Sequence, residues 1–188
     1  LLNHCIEHLA TRTRCIKLDA TPDGRPVYQK LGFIEESSFQ RWERTTETSP
    51  TPLPIGSSRM FPEELLALDT RAFGTDRSSY LSRLAHDSQL HLTDRSFVMV
   101  RPGTNAHYLG PGVSDRPEEM EFLLRKTVAA TGADPLFWDI PEENEPAVLL
   151  ARNLGFTPQR QLFRMRLGEP GFEGDLSLQW AIGAPETG

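Results

Sequence analysis

Cysteine is scarce in this chain: Cys5 and Cys15 are its two. Their spacing fits no metal-ligand pattern and would make a meagre disulfide framework. The expectation is two buried thiols in a reducing cytosol, and hence a cytoplasmic protein. Long apolar runs are missing too. None nears the roughly 20 residues needed to cross a bilayer, which excludes a spanning helix. Basic charge is in deficit, with 20 Lys and Arg against 26 Asp and Glu and a net charge of −6. A nucleic-acid binder carries a basic face, and "TRTR" (11–14) is too short to make one. The opening "LLNHCIEHLATRTR" has no initiator methionine and no signal-peptide pattern. It reads as the inside of a larger protein. His86, His91 and His107 lack the spacing of metal ligands on one helix, so no metal is expected. His107, beside Tyr108, reads as a packed or surface histidine.

What is present is organised. "TTETSPTPLP" (45–54) is rich in Thr, Ser and Pro and reads as an extended linker. It separates a front piece, 1–44, from a back piece, 55–188, which begins its own cycle near Ile55. In the front piece Leu1, Leu2, Cys5, Ile6 and Leu9 share one helical face. "CIKLDA" (15–20) alternates as a strand. Thr21-Pro22 predicts a helix start, and Gly32 a left-handed helix end before the strand "FIEESSFQRWER". The back piece reads as two amphipathic helices and three short strands. Helix, strand, helix and strand follow, and "LSLQWAIGAPETG" (176–188) is a candidate last strand.

The tail of each piece repeats. Asp19 aligns with Asp139, and Leu31-Gly32-Phe33 with Leu154-Gly155-Phe156. One domain's length separates the copies, which points to tandem duplication rather than a short repeat array. The front piece then holds only the end of its unit. Some 44 residues bury too little to fold alone. Its strand 15–20 would also expose an open edge. It is expected to lean on the back piece or on a second copy of the chain, as in a homodimer.

"LDATPDGRPVYQKLGF" (18–33) resembles the last conserved segment of the GNAT superfamily of N-acetyltransferases. That segment runs Asn, Ala, Tyr and Gly-Phe along a strand, a helix and a strand. Tyr28 stands four residues before Gly32, as the family's tyrosine does, while Thr21 stands where the family has its asparagine. "NEPAVLLARNLGF" (144–156) resembles the same segment, with Asn144 present and Ala151 in place of the tyrosine. The whole looks like a tandem-GNAT protein with a YitH-like second domain. The resemblance implies an α/β mixed sheet with one partial and one complete copy of the GNAT fold. It further implies acetyl-CoA as co-substrate and a small-molecule amine as acceptor, with no nucleic acid and no membrane.

By that resemblance Tyr28 is the catalytic candidate, with Thr21, Tyr28 and, more weakly, Asn144 on the cofactor. A thiol has a pKa of about 8.5 and a phenol about 10, so full proton transfer to the thiolate is uphill by roughly 2 kcal/mol. A hydrogen bond that strengthens as the thiolate forms still assists its departure. The plain alternative packs Tyr28 under the sheet with its hydroxyl in water. In the back copy Ala151 has no proton to donate. "GVSDRPEEMEF" (112–122) stands where the family binds pyrophosphate on a glycine-rich loop at a helix N-terminus. It has no glycine pair, and Asp115, Glu118 and Glu119 oppose an anion. The back domain therefore reads as degenerate. Trp138 and Asp139, at a strand end, are candidates for lining a substrate cleft, or else core and turn residues. A non-catalytic binding or dimerisation module on the same fold is the rival reading.

Overall fold

The computed structural model describes residues 2–45, 50–53, 61–171 and 174–184. Leu1, Ile55, half of the linker and the end of the candidate last strand lie outside them. Helix α1 (Leu2–Ala10), strand β1 (Cys15–Ala20), helix α2 (Arg25–Lys30) and strand β2 (Ile34–Arg44) form the front piece. Helices α3 (Glu63–Phe73) and α4 (Ser78–His86) follow, then strands β3 (Gln89–Leu92), β4 (Ser96–Arg101) and β5 (His107–Ser114). Helix α5 (Pro117–Ala130), strand β6 (Leu136–Pro141), helix α6 (Glu145–Asn153), strand β7 (Thr157–Gly168) and the short strand β8 (Gln179–Ala181) complete the order.

Local chemistry explains the punctuation. The chain leaves both α2 and α6 through a glycine with positive φ, +89° at Gly32 and +81° at Gly155. A side chain there would be strained, so the shared Leu-Gly-Phe marks one turn used twice. Helix α6 starts on Asn144, whose Oδ1 accepts from the Ala147 amide. Helix α2 starts three residues later than Thr21-Pro22 predicts. The Gly24 amide donates to Thr21 Oγ1 and the Arg25 amide to the Thr21 carbonyl, which closes a turn first.

The strands form one open mixed sheet in the order β1-β7-β2-β6-β5-β4-β3, with β8 beside β5. The front piece does lean on the back: β7 lies between β1 and β2, and β2 between β7 and β6. Each strand–helix–strand thus holds a strand of the other between its own two. Opposite β7, the edge of β1 meets no strand among the described residues.

Two matched ion pairs fasten this interleaving. Asp19 faces Arg164 across β1 and β7, and Asp139 faces Arg41 across β6 and β2. Both are bidentate, at 2.9 Å for Arg164 on Asp19 and 2.7 Å for Arg41 on Asp139. Fork-to-carboxylate pairing is the strongest geometry such groups have. Each aspartate sits in one unit and its arginine in the other.

The core lies on both faces of β4. Phe97 and Met99 point to α3 and α4 with Leu65, Leu68 and Leu81. Val98 and Val100 point to the opposite side with Met120, Leu124, Trp138 and Leu150. Strands buried on both faces read as continuous apolar runs, and "SFVMV" is one. Ala20, Phe33, Phe163 and Met165 make a smaller core under α2. Helix α1 buries none of its residues. Cys5 is consequently exposed and Cys15 half-buried, both as free thiols, which corrects the expectation of two buried ones. Among the described residues no helix is long and apolar enough to cross a membrane.

Candidate active site

The turn after β1 gathers two of the expected residues. A Cβ placed on Gly24 would lie 3.2 Å from both Thr21 Oγ1 and Tyr28 Cε2, so the two side chains flank that glycine closely. Glycine is what permits the approach. Tyr28 is half-buried, its ring edge-on to Phe33 with centroids 5.9 Å apart. Its hydroxyl meets no hydrogen-bond partner among the described residues, and Thr21 is exposed. This is a phenol held at its base by packing and free at its tip.

The remaining expected residues sit elsewhere. Trp138, Asp139 and Asn144 belong to β6 and the start of α6, with β7 and β2 between them and β1. That is roughly 14 Å at ordinary strand spacing. Trp138 is fully buried in the α5–α6 core, and its indole N–H donates to the Trp180 carbonyl at 2.8 Å. Asp139 is buried and held by Arg41. Asn144 is buried, and its Nδ2 donates to the carbonyls of Gln179 (3.0 Å) and Ser177 (3.3 Å). Ala151, the counterpart of Tyr28, is fully buried in the cluster that holds Trp138, Phe156 and Trp180.

Strands β5 and β6 run parallel and pair at His107–Leu136, Tyr108–Phe137 and Leu109–Trp138. They part at Gly110, where the chain turns through a φ of +138°. Parting strands leave backbone donors and acceptors facing a gap inside the sheet, and these demand partners. The chain's own β8 supplies them. It pairs antiparallel with β5, Gly112 opposite Ala181 and Val113 opposite Gln179. On the other side the Ile182 amide donates to the Asp139 carbonyl at 3.0 Å.

At the mouth of this gap stands the segment 112–122. Asp115 there is not a bare charge. Arg95 binds it in a fork and Arg71 stands 4.0 Å away. Hydrogen bonds from Arg95 hold the Asp115 carboxyl below the usual range. Thr93 Oγ1 donates to Glu119. A cavity of about 240 Å³ remains, lined by Ser114, Asp115, Glu143, Asn144, Leu178 and Trp180. Small-molecule sites usually span about 300–1,000 Å³. The residues here do not fit acetyl-CoA, since the Asp115 and Glu143 carboxylates line the cavity and β8 fills the gap behind.

The linker is tied down where described. Thr51 donates its hydroxyl (2.6 Å) and amide (3.2 Å) to Asp134 Oδ2, which also meets His107 Nε2 at 3.2 Å. The Thr51 hydroxyl is the largest cause holding the Asp134 carboxyl below its ordinary value, with further help from the Thr51 amide and His107. A carboxyl depressed on folding adds stability above its unfolded pKa of about 3.9, which is lost as pH falls through the folded value. Thr51→Val is therefore expected to lower the denaturation midpoint by more at about pH 7 than at about pH 3, where the unfolded carboxyl is already mostly protonated. An equal deficit at both pH values would refute the linkage.

The paired arginines escaped the sequence reading, although a signal existed: Arg41 and Arg164 each stand nine residues after their repeated glycine. The wedging of β8 had no comparable signal, because alternation in "LQWAI" predicts a strand and not its neighbours.

Comparison with known proteins agrees with this architecture. The acetyltransferase (GNAT) domain family matches residues 65–181. A protein of Pyrococcus horikoshii assigned to the acetyltransferases superposes over 100% of this chain and 64% of its own, at 25% identity and a TM-score of 0.81. A GNAT-family protein of Novosphingobium aromaticivorans matches 83% of this chain and 75% of its own (16% identity, TM-score 0.54). A GCN5-related N-acetyltransferase of Sphaerobacter thermophilus matches 87% and 62% (14% identity, TM-score 0.53). The last two speak to the fold alone. The chain thus spans just under two thirds of the Pyrococcus protein. No curated protein matches it. With its open mixed sheet, its parting parallel strands and a family match over most of its length, the chain belongs to the GNAT acetyltransferase family.

Proposed function

We propose that this chain forms part of a cytoplasmic, acetyl-CoA-dependent N-acetyltransferase that modifies a small amine. Chemistry takes place at the β1–α2 end of the sheet. The reading carries a tandem arrangement with it: residues 1–44 end a first GNAT domain, and the region from 55 onward is a second, YitH-like domain that shapes the substrate side. One observation carries the proposal. Of two interleaved strand–helix–strand units, only the first presents a free phenol, Tyr28, against the buried Ala151 of the second.

When bound, acetyl-CoA supplies the acetyl thioester. The amine nitrogen would bond to the acetyl carbon as the carbon–sulfur bond breaks; Tyr28 Oη would give its proton to the departing thiolate, and the proton released from the nitrogen would restore the phenol. Thr21, beside Gly24, flanks the same turn and offers a hydroxyl to the cofactor. The open edge of β1 supports a partner strand there, which a longer protein would supply.

Calorimetry tests this directly. Micromolar acetyl-CoA binding is expected for a protein carrying the preceding domain, and little for residues 1–188. Absence of binding in both would end the enzymatic reading. A non-catalytic binding or dimerisation module on the same fold would then stand, a reading favoured by the filled gap between β5 and β6.

A further inference from the structure

We infer that the gap between β5 and β6 is a peptide-strand site permanently filled by residues 176–184, so that the second unit takes no acetyl-CoA. The inference rests on the reading that an acetyl-CoA anchored at the 112–122 segment would enter this gap. Four sets of contacts seat the strand. Backbone pairing to β5 covers one edge and the Ile182 amide the other. Side chains from both flanks clasp its carbonyls: Trp138 holds that of Trp180, Asn144 those of Ser177 and Gln179, and Arg101 that of Gly183. The Gln179 amide reaches out in turn to the Ala72 carbonyl at 2.6 Å. Apolar side chains then divide between the layers. Leu178 joins the α3–α4 core, Trp180 and Ala181 the α5–α6 core, and Ile182 packs with Phe39 and Leu162.

The walls are shaped for this occupant. A Cβ on Gly110 would lie 2.3 Å from the Ile182 carbonyl oxygen, and one on Gly112 3.4 Å from Ala181 Cβ. Glycine inside a strand often marks close approach of another backbone; Gly110 does so against Ile182, while Gly112 is in ordinary contact with Ala181 and closer to Val98. A small molecule of peptide-like polarity would have to displace Trp180 and Ile182, both nearly fully buried, from two cores at once. The segment is consequently a fixed part of the sheet and not a lid.

Hydrogen exchange decides the matter independently of any activity. The Ile182 amide is expected to exchange slowly, and its rate to stay within about twofold when acetyl-CoA is added to millimolar concentration. Exchange near the unfolded rate without ligand, or a tenfold acceleration with acetyl-CoA, would overturn the proposal. A second measurement uses Gly112→Cys with Ala181→Cys on a Cys5→Ser, Cys15→Ser background. The 3.4 Å Cβ separation is close to the roughly 3.8 Å of a disulfide. Equal cross-linking yield with and without acetyl-CoA is expected, and a yield lowered by acetyl-CoA would show the strand leaving. Failure of acetyl transfer itself would remove the proposed function and leave both readouts interpretable.

Discussion

Tyr28→Phe, made in the protein that carries both domains, is expected to lower kcat by about 100- to 10,000-fold and leave acetyl-CoA affinity nearly unchanged. The substitution removes one oxygen and keeps the ring. The edge-on contact with Phe33 survives, and so does the packing beside Gly24. Stability should move little, because the hydroxyl has no partner among the described residues whose loss would be felt. A general acid acts in the transition state and hardly at all on the bound thioester, so kcat falls and binding does not. Steady-state kinetics beside calorimetry separates the two. If kcat is unaltered, Tyr28 leaves the mechanism. If affinity collapses along with kcat, the residue is a packing element of the cofactor channel.

Arg41→Leu carries the largest expected cost in stability. The guanidinium and the Asp139 carboxylate are 6% and 3% exposed, so removing one strands the other charge in the sheet. Breaking a buried pair from one side costs about 3–5 kcal/mol. For a chain of this size that is a drop in Tm of about 6–20 °C. The cation also stacks over Phe137 and Tyr108, with centroids 5.1 and 5.5 Å away, and that contact disappears with it. Arg41→Leu with Asp139→Leu should recover much of the loss, since an apolar pair of similar volume replaces a desolvated one. Arg164→Leu provides an internal comparison. Arg164 is 14% exposed, but the Asp19 carboxylate it would leave behind is 3% exposed, as Asp139 is, so a deficit of similar order is expected. Thermal denaturation of the four proteins checks the order. Equal losses for Arg41→Leu and the double variant would mean that packing, not the stranded charge, sets the cost.

Much of the fold around the candidate site was legible because its signals are local. Leu-Gly-Phe states a helix end with a left-handed residue, and both glycines adopt it. Tyr28 four residues before Gly32 sits one helical turn back, which brings it over Phe33. The start of α2 was misread because Thr21 has two ways to satisfy a backbone donor. It closed a turn with Gly24 where a helix cap was expected. The resemblance puts Asn144 on the cofactor from its place in a motif. Its amide meets Gln179 and Ser177, partners more than thirty residues away that no spacing announces.

From the order of residues alone come the elements, the twice-used turn, the family resemblance and the contrast between Tyr28 and Ala151. Each depends on neighbours within a few positions, where backbone sterics and helical periodicity act. Only the folded chain decides that β7 enters between β1 and β2, that Asp19 and Asp139 each take an arginine from the other unit, and that β8 fills the gap beside β5. Those outcomes turn on which unpaired strand edge finds which partner, and long-range backbone pairing leaves no periodic trace in the sequence that it joins.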